Sequence, residues 1–109
     1  MECDVSKHGD FVILHIKEDI TFDNSPFLDS LLESKIRSGQ NSIVVDLSAI
    51  NLIDSSGKAI FAKNFRLLKG TERRIVLAGC NPFLLKLFTS IGFHKFFKIT
   101  ATLEEALVE

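Results

Sequence analysis

Two hydrophobic periods alternate along the chain. Phe11 to Ile16 reads F-V-I-L-H-I, an almost unbroken apolar run of strand length. Gly9-Asp10 before it is a hairpin-turn pair, which predicts an edge strand over Cys3 to Lys7. From Asn24 to Ser38 the period lengthens, and Leu28, Leu31, Leu32 and Ile36 share one helical face. Ser25 is expected to cap that helix, with Pro26 as its first residue, because the missing proline N–H would be orphaned there anyway. Gly39 is the stop. Ser42 to Leu47 has no polar alternation and is rich in β-branched residues, as a buried parallel strand would be. The next helix places Phe61, Phe65 and Leu68 inward and leaves Lys63, Arg66 and Lys69 to water, with Gly70 at its end. Arg74 to Ala78 is another buried strand. Asn81-Pro82 repeats the cap-then-proline start, Leu84, Phe88 and Ile91 point inward, and Gly92 ends the helix. Phe96 to Ile99 reads as a last strand, and Thr102-Leu103-Glu104-Glu105 as a capping box before a terminal helix. Helices and strands alternate from residue 24 onward. The expected fold is therefore a single α/β domain over residues 1–109, with a mixed, largely parallel sheet of about five strands and about four helices.

Composition narrows the function classes. The chain has 109 residues, the size of one domain, and 46% of them are hydrophobic, enough for one core. Ten Phe with no Trp or Tyr supply rings that need no polar partner. A net charge of -1 argues against binding nucleic acid through phosphate contacts. Cys3 and Cys80 lie in no C-x-x-C or Cys/His cluster, so two free thiols and no metal are expected. No signal-peptide pattern and no membrane-length apolar run is present, so the expected location is the cytoplasm, without membrane insertion.

The candidate chemistry concentrates in I-D-S-S-G-K, Ile53 to Lys58, between the Ser42 strand and the helix that follows. Asp54, Ser55 and Ser56 are all good helix caps, since their oxygens accept from orphan N–H groups. Capping accounts for one or two of them, not for two serines and a glycine in one turn. A serine nucleophile needs a base, and the spacing of His8, His15 and His94 points none of them at Ser55. The elbow pattern G-x-S-x-G is absent. A phosphate-binding loop would need an earlier glycine and a hydroxyl residue where Ala59 stands. Asp46, at a strand end, invites comparison with a receiver-domain phosphoacceptor, with Glu18-Asp19 as the acidic pair, but no lysine follows at the right place; Asp46 reads better as the cap of its own turn. Modification fits the physics of the serines: a helix N-terminus accommodates negative charge, so a phosphoserine there would alter the surface without unfolding the domain.

V-V-D-L-S-A-I-N-L-I-D-S-S-G, Val44 to Gly57, resembles the signature of the STAS domain family, in particular its small bacterial anti-sigma factor antagonists. The likeness continues through Arg74 to Thr100 and into T-L-E-E-A-L. It implies a protein without catalytic activity or cofactor. Its partner would be an anti-sigma factor that is also a serine protein kinase, and a PP2C-type phosphatase would reverse the kinase's action. The resemblance puts the phosphoacceptor at Ser55 and the partner-binding surface on Asp19, Thr21, Asp23, Asp54, Ser56, Gly57 and Lys58, in a monomer or weak dimer. The chain departs from the family pattern at Lys58-Ala59, where small apolar residues are usual. Thr21 stands where the family's early turn usually has Asp, with Asp19 or Asp23 as substitutes. Other members of the family work outside sigma control, which leaves a scaffolding module in a signalling or secretion-regulatory assembly as the alternative.

Overall fold

Strands that lack polar alternation need cover on both faces. In the computed structural model, which describes residues 1–108, three such strands form the centre of a five-stranded sheet. The elements run β1 (Cys3–His8), β2 (Phe11–Ile16), α1 (Ser25–Ser38), β3 (Ser42–Asp46), α2 (Ser55–Leu68), β4 (Ile75–Ala78), α3 (Pro82–Ser90), a single 3-10 turn at Phe93–Lys95, β5 (Lys98–Ile99) and α4 (Leu103–Ala106). Strand order in space equals order in sequence. β1 pairs antiparallel with β2 through the Gly9-Asp10 turn, where Gly9 has φ 58°. The pairs β2–β3, β3–β4 and β4–β5 are all parallel, in registers such as Leu14–Val45 and Val45–Leu77.

Crossovers between neighbouring parallel strands share one hand, so their helices share one face. α1, α2 and α3 accordingly bury Leu28, Leu32, Ile36, Phe61, Leu68, Leu84 and Phe88 against Val12, Leu14, Ile16, Val45 and Leu77. The opposite face carries Phe11, Ile13, Val44, Val76 and Ala78, with α4 packed there through Leu103, Ala106 and Leu107. The single α/β domain with five strands and four helices is the architecture expected from the sequence. Both cysteines are free; burial pushes the Cys80 thiol up to about 12, which makes it unreactive.

Several local expectations are corrected. The N-cap of α1 is Asn24, and Ser25 is already helical and buried, its hydroxyl turned toward the Phe22 carbonyl. Ile91 is 40% exposed, since α3 ends at Ser90 and the chain turns away through Gly92 at φ 81°. Phe96 is not in a strand: the 3-10 turn uses residues 93–95, leaving only Lys98 and Ile99 to pair with β4. Phe65 is half-buried. Lys63 meets Asp29 of α1 at 2.8 Å, so it bridges two helices instead of standing free in water. Thr102 does cap α4, but Glu105 accepts from the Thr102 hydroxyl and not from its backbone N–H.

Phe61 is fully buried at the centre of the helix-covered face. Phe61→Ala should lower unfolding free energy by about 3–5 kcal/mol, because a lost ring leaves a cavity. Leu67→Ala on the outer face of α2 should stay within about 0.5 kcal/mol. Urea unfolding followed by circular dichroism checks both.

Candidate functional site: the braced turn at Ser55

Two loops meet beyond the carboxyl ends of β2 and β3. Ile20 pairs with Ile53 in an isolated parallel bridge, with Ile20 N–H donating to the Leu52 carbonyl and Asp54 N–H donating to the Ile20 carbonyl, each at 3.1 Å. Both isoleucines are buried, so the two loops share a hydrophobic floor. Two carboxylates then fasten the loops. Asp19 Oδ1 accepts from the Asn51 and Leu52 amides at 2.8 and 3.1 Å. Asp54 works in the opposite direction: its Oδ2 accepts from Phe22 N–H at 2.8 Å, and its Oδ1 caps α2 by accepting from the Ser56 and Gly57 amides and from the Ser56 hydroxyl. The hydroxyl of Ser56 first, then the amides of Gly57, Phe22 and Ser56, outweigh desolvation and hold the Asp54 carboxyl below its ordinary range.

This bonding separates the two serines. Ser56 is half-buried and its hydroxyl is committed to Asp54. Ser55, the first residue of α2, is exposed, and its hydroxyl has no hydrogen-bond partner among the described residues. Lys58 lies three residues on, on the same side of the helix as Ser55, and forms no ion pair among the described residues. Gly57 is buried, and a Cβ there would lie 2.7 Å from the Cγ2 atoms of both Ile20 and Ile53. The glycine lets the helix sit directly on the bridge.

Of the residues singled out in the early loop, Asp19 is a fastener, and Thr21 and Asp23 are exposed. Thr21 contributes through its backbone, its N–H donating to Asn24 Oδ1 and its carbonyl accepting from the Asn24 and Ser25 amides. Sequence reasoning missed the apolar side chains around the turn. Phe22 is 77% exposed although its own N–H is pinned by Asp54, and Leu52 on the adjoining loop is 55% exposed. The available signal was an aromatic ring in a polar loop, belonging to neither hydrophobic period.

His15 has a structural role away from Ser55: its Nδ1 lies 2.8 Å from Asp46 Oδ2 and its Nε2 2.8 Å from Ser6 Oγ. Asp46 Oδ1 accepts from the amide and hydroxyl of Ser48, the strand-end cap that the sequence suggests. Burial raises the Asp46 pKa, but the bonds from Ser48 and His15 prevail and lower it. This chain ties β1, β2 and β3 on the face that α4 covers, opposite α2, and so serves the sheet and not Ser55.

The STAS domain model matches residues 2–106, and the chain belongs to that family. Among solved structures, a Thermotoga maritima protein assigned as an anti-sigma factor antagonist superposes with a TM-score of 0.87 at 19% identity, covering 96% of this chain and 91% of that one. The anti-sigma factor antagonist SpoIIAA in its unphosphorylated form gives 0.80 at 19% identity over 97% and 93%. A sulfate transporter family protein from Wolinella succinogenes gives 0.77 at 16% identity over 90% and 82%. These likenesses establish the shared fold.

Two expected outcomes follow from the brace. Gly57→Ala would normally gain up to about 1 kcal/mol in a helix. Here overpacking against Ile20 and Ile53 should win, with a net loss of about 1–3 kcal/mol by denaturant titration. The folded pKa of Asp54 lies below its unfolded value of about 3.9, so the brace is complete above that pH and is lost only as pH falls through the lower folded value. The amide NMR signals of Phe22 and Gly57 should therefore titrate together with a midpoint below about pH 3.9.

Proposed function

We propose that this protein is an anti-sigma factor antagonist worked by a phosphorylation switch at Ser55. Unphosphorylated, it binds an anti-sigma factor that is also a serine protein kinase; phosphorylation of Ser55 ends the binding, and a PP2C-type phosphatase restores it. The protein supplies no catalytic group or cofactor of its own and acts in the cytoplasm as a monomer or weak dimer. It does not contact nucleic acid. The observation that carries this reading is the division of labour in the turn: Asp54 and Ser56 are bonded to each other, while the neighbouring Ser55 hydroxyl is exposed and free. The carboxylate fixes the geometry a kinase must recognise and leaves one acceptor.

Phosphorylation adds nearly two negative charges. The N-terminus of α2 tolerates them, so the fold survives. A docked partner faces a different situation, because its contact would bury a doubly charged group beside Asp54. The contact surface consists of the Asp54–Lys58 turn with Ser56 and Gly57, the Asp19–Asp23 loop including Thr21, and the exposed Phe22 and Leu52. One solved neighbour is SpoIIAA in its phosphorylated form, at 18% identity and a TM-score of 0.73, which agrees with a fold that keeps its shape when modified. A second reading is favoured by the sulfate-transporter neighbour: a scaffolding module in a non-sigma signalling or secretion-regulatory assembly. Lys58 is the residue here that such a role would exploit, since it can neutralise charge at the turn.

Ser55→Ala should abolish phosphate incorporation by the cognate kinase, and Ser56→Ala should retain it; the reverse result moves the acceptor to Ser56. Ser55→Asp should keep the melting temperature and weaken partner binding at least about tenfold in calorimetry, a loss of about 1.4 kcal/mol. Binding of that variant at full strength sinks the switch and leaves the scaffold.

A further inference from the structure

The far end of α2 carries a second feature, unconnected with Ser55. The helix has 14 residues, so its last turn lies roughly 20 Å from the serines. There the chain leaving α3 folds back and packs phenylalanines against α2. Phe65 lies 5.6 Å from Phe96 and 5.4 Å from Phe97 between ring centres, and Phe93 lies 5.0 Å from Phe97. The packing is incomplete: Phe96 is 60% exposed and Ile91 40%. Between the helix and this segment is a cleft of about 330 Å³. That is at the small end of the range of small-molecule sites.

Its wall is apolar and its rim is cationic. Arg66 and Lys69 line the cleft, and among the described residues no acidic one does. Neither cation makes a side-chain hydrogen bond or ion pair among the described residues, whereas Lys63 and Arg37 on the same two-helix layer are paired with Asp29 and Glu33. The helix end does not occupy them either. The Arg66 carbonyl accepts from Lys69 N–H, and the Leu68 carbonyl accepts from the N–H and hydroxyl of Thr71. Two cations three positions apart, unpaired among the described residues, beside the exposed Phe96 ring and the half-buried Phe65 and Phe93 form an amphipathic receptor: a planar anion fits between them, and an apolar body fits against the phenylalanines. A neutral apolar molecule would leave the cations unused, and a polyanion would leave the rings bare.

We propose that this cleft binds a small amphipathic carboxylate, its chain or ring against Phe65, Phe93 and Phe96 and its headgroup between Arg66 and Lys69. The test titrates the full chain with decanoate, and with 1-decanol as the uncharged control, by calorimetry and by ¹H–¹⁵N NMR. Decanoate should bind saturably in the submillimolar range and shift the amides of Phe65, Lys69, Phe93 and Phe96. Decanol should bind more weakly. The Arg66→Gln/Lys69→Gln variant should lose decanoate affinity about tenfold, the scale of a charge-assisted bond, and keep that for decanol. Phe96→Ala, a half-exposed ring whose loss leaves the core intact, should weaken both. Ser55→Asp should change neither, which keeps this result independent of the switch. Equal affinity for acid and alcohol, shifts centred on Phe22 and Leu52, or no saturation would each overturn the proposal.

Discussion

The Asp54 carboxylate is the constraint on which the turn depends. One oxygen closes the end of α2 and the other reaches across to the backbone of a loop 32 residues earlier in the chain. Without that double attachment the N-terminus of α2 and the Phe22 loop would be held together only by the Ile20–Ile53 bridge and the Asp19 bonds. Asp19 repeats the device in mirror image, from the early loop to the late one. A pair of short loops, ordinarily among the softer parts of a fold, is thereby laced by two carboxylates and a strand-like bridge. The exposed Phe22 ring, Leu52 and the Ser55 hydroxyl stand on this braced base, so a contact made there would carry little ordering cost.

Local chemistry made much of this legible. The parallel strands announce themselves as apolar runs, because burial on both faces removes alternation. Asn81 and Thr102 are recognisable as caps, because a cap needs only an oxygen and a helix beginning a residue later. The same rule places Asp54 at a helix start. What sequence order conceals is the partner that each carboxylate finds in the other loop. Asp19 is a fastener only because Asn51 and Leu52 arrive beside it, and Thr21, at the position where the family pattern has Asp, contributes mainly backbone. The Ser6–His15–Asp46 chain is hidden for the same reason, as its members come from three strands. The misread end of α3 has a more local cause: Ile91 continues the helical period in the sequence, but Gly92 in a left-handed conformation takes the chain elsewhere.

Topology explains why function is sought in loops. In doubly wound sheets ligands bind in the crevice where strand order reverses. Here the order never reverses, and all three crossover helices lie on one face. No switch-point crevice opens between diverging connections. The carboxyl ends of β2 and β3 instead carry the braced turn, with Phe22, Leu52 and Ser55 exposed on it.

The same unbroken order has a consequence for how the molecule comes into being. Each strand's hydrogen-bonding neighbour is the strand made just before it, from the β1–β2 hairpin through to β5. Paired strands are therefore never more than one crossover apart, which spares the chain the longer loop closures that a shuffled strand order would impose. In an order of synthesis from the N-terminus, each strand after β1 follows the strand whose edge it pairs with, so no central strand depends on a later one for its first hydrogen-bonded neighbour.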